Sequence, residues 1–347
     1  MAILRQIFII IFTFLVVGCT ETFEPKIDTV PVLCINSLIT AGEPIEVRVT
    51  HTWMFNDAKG DSIHDVKDAQ VYIFANGEQV MEDYIPKEGD SIRIVAKSKQ
   101  YGDAEAYVSV PRAVPISLVE FTPDVEYDYV SGDFAMSASV NFNMKILLKI
   151  EDIYRTDDFF HFGFTKLLPP GIDADDSSSF WWDQEPDIPH VDLYLGNMDG
   201  RVEPLFKECL SMSDNLTGPD DEDLPLVFTD RQFSLKDYTL TLRFNGLTYS
   251  VQAPEYDPDL YDYKIEFMVS SISRSYYDRA IYVWQRDAGW IGDLSDIGFA
   301  EPMWGYSNVF TGAGVVAAQA VSTITVSFKD FLERTLHADR PGGKCRR

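Results

Sequence analysis

The sequence predicts a mainly all-β chain: an N-terminal immunoglobulin- or fibronectin-like β-sandwich over residues 31–113, then a larger β-rich domain over 114–335 with long loops and one helix. Three observations carry that prediction. Runs in which apolar and polar residues alternate recur along the chain, as strands with one buried face require. Clusters of Gly, Asn, Asp and Pro separate them. Apolar residues at helical spacing occur in a single stretch.

In the first part, VPVLCINSLI leads through the turn TAGEP into IEVRVTHTW, where Ile45, Val47, Val49 and His51 alternate with Glu46, Arg48 and Thr50. DAQVYIFANGEQVMEDY contains Asn76-Gly77, a pair suited to the positive φ angles of a two-residue hairpin turn. SIRIVAK and AEAYVSV follow, the latter running up to Pro111. Roughly six strands in about eighty residues suit a small sandwich.

The second part begins at RAVPISLVEF. SASVNFNMKILLKIED places Val140, Phe142, Met144, Ile146, Leu148 and Ile150 on one face, and DDFFHFGFTKLL follows it. Further strands are predicted at HVDLYLG, PLVFTD, YTLTLRF, YDYKIEFMVSSIS and VSTITVSF. SRSYYDRAIYVWQRD is the predicted helix, with Tyr276, Ala280, Val283 and Trp284 on one side. GIDADDSSSFWWDQEPDIP and DNLTGPDDEDLP are loops well beyond the usual length of about four to six residues, and such loops are often functional or disordered.

With 55 acidic against 29 basic residues, the formal net charge is −26. Such a surface repels nucleic acid and excludes a polybasic hold on anionic lipid. The charge serves solubility, with cation binding as the second reading. Asp173, Asp175 and Asp176 are candidate Ca2+ ligands, because the acidic loop supplies hard oxygen atoms, although it lacks the twelve-residue pattern of a calcium-binding helix–loop–helix. No other cofactor is predicted. The neighbouring Phe180, Trp181 and Trp182 are candidate contacts for a glycan, a peptide or a partner protein; folded back on the domain they would be packing residues instead.

The five histidines, His51, His64, His161, His190 and His337, have no HExxH or other paired spacing. There is no GxSxG elbow, no GxxxxGK[ST] loop and no GxGxxG after a strand. These absences argue against an enzyme and leave no catalytic residue to name. A carboxylate pair of the glycosidase kind, needing only about 5 to 10 Å between two groups, is the enzymatic alternative. Cys34 lies in an apolar run and reads as a small buried hydrophobe. Cys209 and Cys345 could be paired or free, because spacing alone does not establish disulfide geometry.

The first residues carry an address. Ile7 to Val17 is an apolar run of about eleven residues, which as a helix reaches ~16 Å against a hydrocarbon core of ~30 Å. Arg5 precedes it, and Val16, Val17 and Gly18 stand before Cys19, the order of an export signal. Cleavage before a cysteine resembles the bacterial lipoprotein box, which implies a signal peptide over 1–18, lipid attachment at Cys19, an acylated tether over 19–30, and membrane association through that lipid. Residues 336–347 read as a tail.

The lipoprotein box with FEP shortly after Cys19, then INSLITAGEPIEVRVTHT, VKDAQVYIFANGEQV, EAYVSVPRAVPISLVEF, YKIEFMVSSISRSYYDRA and YSNVFTGAGVVAA, resemble in order and spacing the Bacteroidota lipoprotein family of domain of unknown function 4249. The resemblance covers nearly the whole mature chain. It implies an exported, lipid-anchored outer-membrane protein with a TonB-dependent receptor as partner. Apart from Cys19 it assigns no site residue. The family's tail is cysteine-rich, whereas this chain ends GGKCRR with Cys345 alone. Asp28-Thr29-Val30, Asp61-Ser62-Ile63 and Asp90-Ser91-Ile92 are similar to the O-glycosylation sequon of Bacteroidota envelope proteins, and Glu21 and Glu24 partly resemble an acidic surface-export signal. The expected location therefore faces the cell exterior. The expected function is a non-catalytic accessory binding or assembly component of nutrient uptake; the alternatives are a surface hydrolase using a carboxylate pair and a structural or adhesion module of the envelope.

Overall fold

The structure is a computed structural model that describes residues 30–52, 65–81, 83–126, 137–151, 158–167, 190–194, 203–206, 225–233, 236–252, 264–287 and 305–327. Strand β1 (Leu33–Thr40) buries Leu33, Ile35 and Ile39 on one face and exposes Asn36 and Leu38 on the other. Such alternation recurs through β3 (Gln70–Ala75), β5 (Ser91–Ser98) and β6 (Gly102–Ser109), with β2 (Arg48–His51) and β4 (Glu78–Val80) as short companions. Asn76 and Gly77 join β3 to β4 with φ of 53° and 89°, the left-handed pair this turn requires. The rest of the chain forms β7 (Ile116–Glu126), β8 (Ser137–Ile150), β9 (Phe159–Leu167), β10 (His190–Tyr194), β11 (Val227–Thr229), β12 (Tyr238–Gln252), β13 (Lys264–Ile272), the helix α1 (Arg274–Asp287), β14 (Val309–Phe310) and β15 (Val316–Ser327). The mainly all-β expectation is met, and α1 is the one α-helix among the described residues.

Three sheets arise among the described residues, in the orders β11-β9-β13-β15-β1-β2, β10-β12-β8-β7 and β14-β6-β5-β3-β4. One face of the six-stranded sheet covers both of the others. Its β1 end, with Val316 and Ala318 of β15, closes a core over Ile73, Ile92, Ile94 and Ala106 of the five-stranded sheet. Its β9–β13 end, with Val326 of β15, closes a second core over Ile146, Leu148, Leu240 and Phe244 of the four-stranded sheet. β8 and β12 hold that register with Ile146 opposite Leu242 and Leu148 opposite Leu240. Both cores belong to one unit, Val32–Arg347.

The first sandwich is thus discontinuous in sequence, with strands from outside 31–113. β14 pairs with β6, and β15 runs parallel to β1 with Ser37 opposite Val316 and Thr40 opposite Gln319. A parallel pair needs a long crossover, which here is most of the chain. The chain enters β15 pressed against β1: a Cβ on Gly312 would lie 2.5 Å from the Leu33 carbonyl oxygen, and one on Gly314, whose φ is 108°, would collide with the Ile35 carbonyl. Only glycine fits there.

In the second sandwich a buried carboxylate does the pinning. Glu203 accepts hydrogen bonds from the Leu205 amide (3.1 Å), the Tyr238 hydroxyl (2.6 Å) and the Thr241 amide (2.7 Å), which ties 203–206 to β12 and leaves Leu205 and Phe206 in the core. Burial and this carboxylate push the Tyr238 phenol well above its ordinary range.

Candidate functional site: a groove beneath the helix

Helix α1 lies on the face of the six-stranded sheet that points away from both cores. Its start is fixed by two serines. Ser273 precedes the first turn and its hydroxyl accepts from the Tyr276 amide (3.3 Å), the bond that caps a helix N-terminus, and from the Ala318 amide of β15 (3.0 Å). Ser275 donates to the Val316 carbonyl (2.9 Å). The helix then seats Trp284, with Tyr277, Ala280 and Ile281, against Val227, Ile272 and Phe159. The expectation that Tyr276, Ala280, Val283 and Trp284 share a side is met, and that side has a groove under it.

The groove encloses about 830 Å³. Asn36 and Leu38 of β1, with Glu46, Val47 and Arg48, make one wall; Tyr276, Arg279, Ala280, Val283 and Trp284 of α1 make the other. Val315 and Ala317 lie between them, and His161 of β9 and Pro225 complete the lining. The apolar character comes from strand positions that face away from the cores, so the sheet is covered on both sides here.

Several polar groups of the lining are unpaired among the described residues. Trp284 is 5% exposed and its indole Nε1–H has no acceptor. His161 and Tyr276 stand side by side, ring centres 5.7 Å apart and tilted by 40°. Burial pushes the imidazole below its ordinary pKa and the phenol above its own, so both are neutral at pH 7. Neither ring has a hydrogen-bond partner for its polar atoms among the described residues. Arg48, by contrast, pairs with Asp65 at 3.3 Å. The arrangement sets polar side chains over an apolar floor, and no carboxylate among the described residues bonds to the imidazole.

The predicted site residues Cys19, Asp173, Asp175, Asp176, Phe180, Trp181 and Trp182 lie outside the described residues, as do Cys209 and Cys345. Cys34 is half-buried, and burial raises its thiol pKa, which keeps it protonated and unreactive. The groove joins positions up to about 280 residues apart in the chain, and no local motif marks it. The one sequence feature that pointed toward it is the helical stripe of Tyr276, Ala280, Val283 and Trp284.

Two antiparallel-rich sandwiches sharing a six-stranded sheet, with a helix-roofed groove on its outer face, define a mainly all-β protein. The chain belongs to the family of the domain of unknown function DUF4249, whose profile matches residues 20–325. No curated protein and no solved structure matches it.

Proposed function

We propose that this protein is a membrane-tethered, non-catalytic binding protein whose ligand occupies the groove beneath α1. One observation carries the reading: an 830 Å³ groove with a mainly apolar lining and His161, Tyr276 and Arg279 among the residues of its walls. That volume falls in the range of about 300 to 1,000 Å³ typical of small-molecule sites, which likewise combine apolar linings with a few converging polar groups. The export pattern ending at Cys19 supports a lipid anchor in the outer membrane, facing outward. The resemblance to exported lipoproteins supports service as an accessory to a TonB-dependent uptake receptor.

The test uses the acylated full chain, tagged at its C-terminus and extracted gently from membranes. Mass spectrometry of the purified material should find a co-purifying small molecule that is missing from a Leu38→Trp variant. Leu38 is 48% exposed, so the larger ring blocks the groove without entering a core. The same preparation should carry the receptor. Identical small-molecule extracts from both forms would overturn the groove as the binding site; recovery of the protein alone would overturn the accessory role.

A further inference from the structure

Resting on the reading of the groove as a ligand site, we infer that it selects an organic anion, a carboxylate carried on an apolar body, with Arg279 as the counter-charge. The other arginines with described ion pairs meet carboxylates: Arg48 meets Asp65 at 3.3 Å, Arg93 meets Glu105 at 2.5 Å and Arg274 meets Asp278 at 3.4 Å. Arg279 has no carboxylate partner among the described residues. Its guanidinium lies 5.6 Å over the Tyr282 ring, partly buried on the groove wall.

An arginine beside a cavity with no carboxylate partner among the described residues is poised for an anion from outside. Guanidinium recognises carboxylates through two parallel N–H bonds, which also orients the ligand. Among the described lining residues Arg48 is paired with Asp65, and Glu46 lies on the wall opposite Arg279, so the positive charge on the helix side of the groove comes from Arg279. Ala280, Val283 and Ala317 supply the surface for the apolar body. Burial holds the neighbouring His161 neutral, so the imidazole adds no positive charge at pH 7.

Three probes that share one ring system separate charge from shape: naphthalene-2-carboxylate, naphthalene-2-carboxamide and 2-naphthylmethylammonium, titrated calorimetrically into the full chain. The carboxylate should bind at least tenfold more tightly than the amide, and the ammonium most weakly. Arg279→Gln should bring the carboxylate to the amide's affinity. Leu38→Glu, at an exposed position on the opposite wall, should weaken the carboxylate severalfold more than it weakens the amide. Equal binding of all three, or a carboxylate preference that survives Arg279→Gln, would overturn the anion and leave the groove standing as a site. Carboxylate binding untouched by Leu38→Trp would overturn both readings, and failure of the carboxylate to bind at all would overturn this inference.

Discussion

The two sandwiches share a sheet and fill their cores differently. The first buries Leu33, Ile35, Ile92 and Ile94 around five alanines, Ala75, Ala96, Ala104, Ala106 and Ala318. The second buries seven phenylalanines, among them Phe162, Phe244 and Phe267, whose rings stand 6.1 to 6.4 Å apart. Alanines let facing backbones approach, and that suits a core whose last strand, β15, arrives from the far end of the chain over Gly312 and Gly314. Rings fill more volume per residue and interlock at defined angles. One core is therefore limited by space and the other by fill.

The largest effect expected from that difference is in the second core. Phe267 is fully buried between Phe162 and Phe244, so Phe267→Ala should cost about 3 to 5 kcal/mol through lost burial and the cavity left behind. Urea unfolding should still follow one transition, because β13 and β15 run through the sheet that both cores use. Two separated transitions would break the comparison by making the sandwiches independent units. In the first core the sensitive direction is enlargement. Ala106 is fully buried opposite Ile94 and Val309, and Ala106→Leu should cost about 1 to 3 kcal/mol by overpacking. A neutral outcome would mean that this core holds unused space.

The difference in fill was partly legible in the sequence. Met144, Ile146, Leu148 and Ile150 alternate in a long strand, and all four are buried as the pattern implies. Asn76-Gly77 encodes its own turn, and Tyr276 to Trp284 encode their helix, because each depends on residues adjacent in the chain. The parallel pairing of β1 with β15 had no such local basis. Val316, Ala317 and Ala318 read as a weak apolar run, and nothing within it specifies a partner about 280 residues away. The groove was hidden for the same reason, since its walls come from opposite ends of the chain. His161 illustrates the limit: as one of five scattered histidines it stood out only once β9 and α1 placed it beside Tyr276.

The two regions should also part company with pH, by the smallest of these effects. Asp90, at the β5 end of the first sandwich, has its carboxyl pKa lowered first by the Lys87 amide and then by the Tyr84 hydroxyl, with Asn76 adding a third bond. A carboxylate with a depressed pKa stabilises the fold above its unfolded value of about 3.9 and loses that contribution as pH falls from there through the folded value. His161 acts in a different window. Its folded pKa is also depressed, but here the neutral form is the one the fold favours. Above about pH 6.5 the imidazole is neutral in both states and contributes nothing to the difference. As pH falls below that value the unfolded chain takes up a proton that the folded chain resists, so stability declines until the folded pKa is reached, by about 1.4 kcal/mol for each unit of separation. His161→Phe should therefore shrink the fall in melting temperature between pH 7.5 and pH 5.5, a range above the carboxylates, while Asp90→Asn should leave that fall unchanged and flatten the decline below pH 4. Parallel curves for wild type and His161→Phe between pH 7.5 and 5.5 would show that the imidazole beside α1 titrates freely, and would overturn burial as the cause of its lowered pKa.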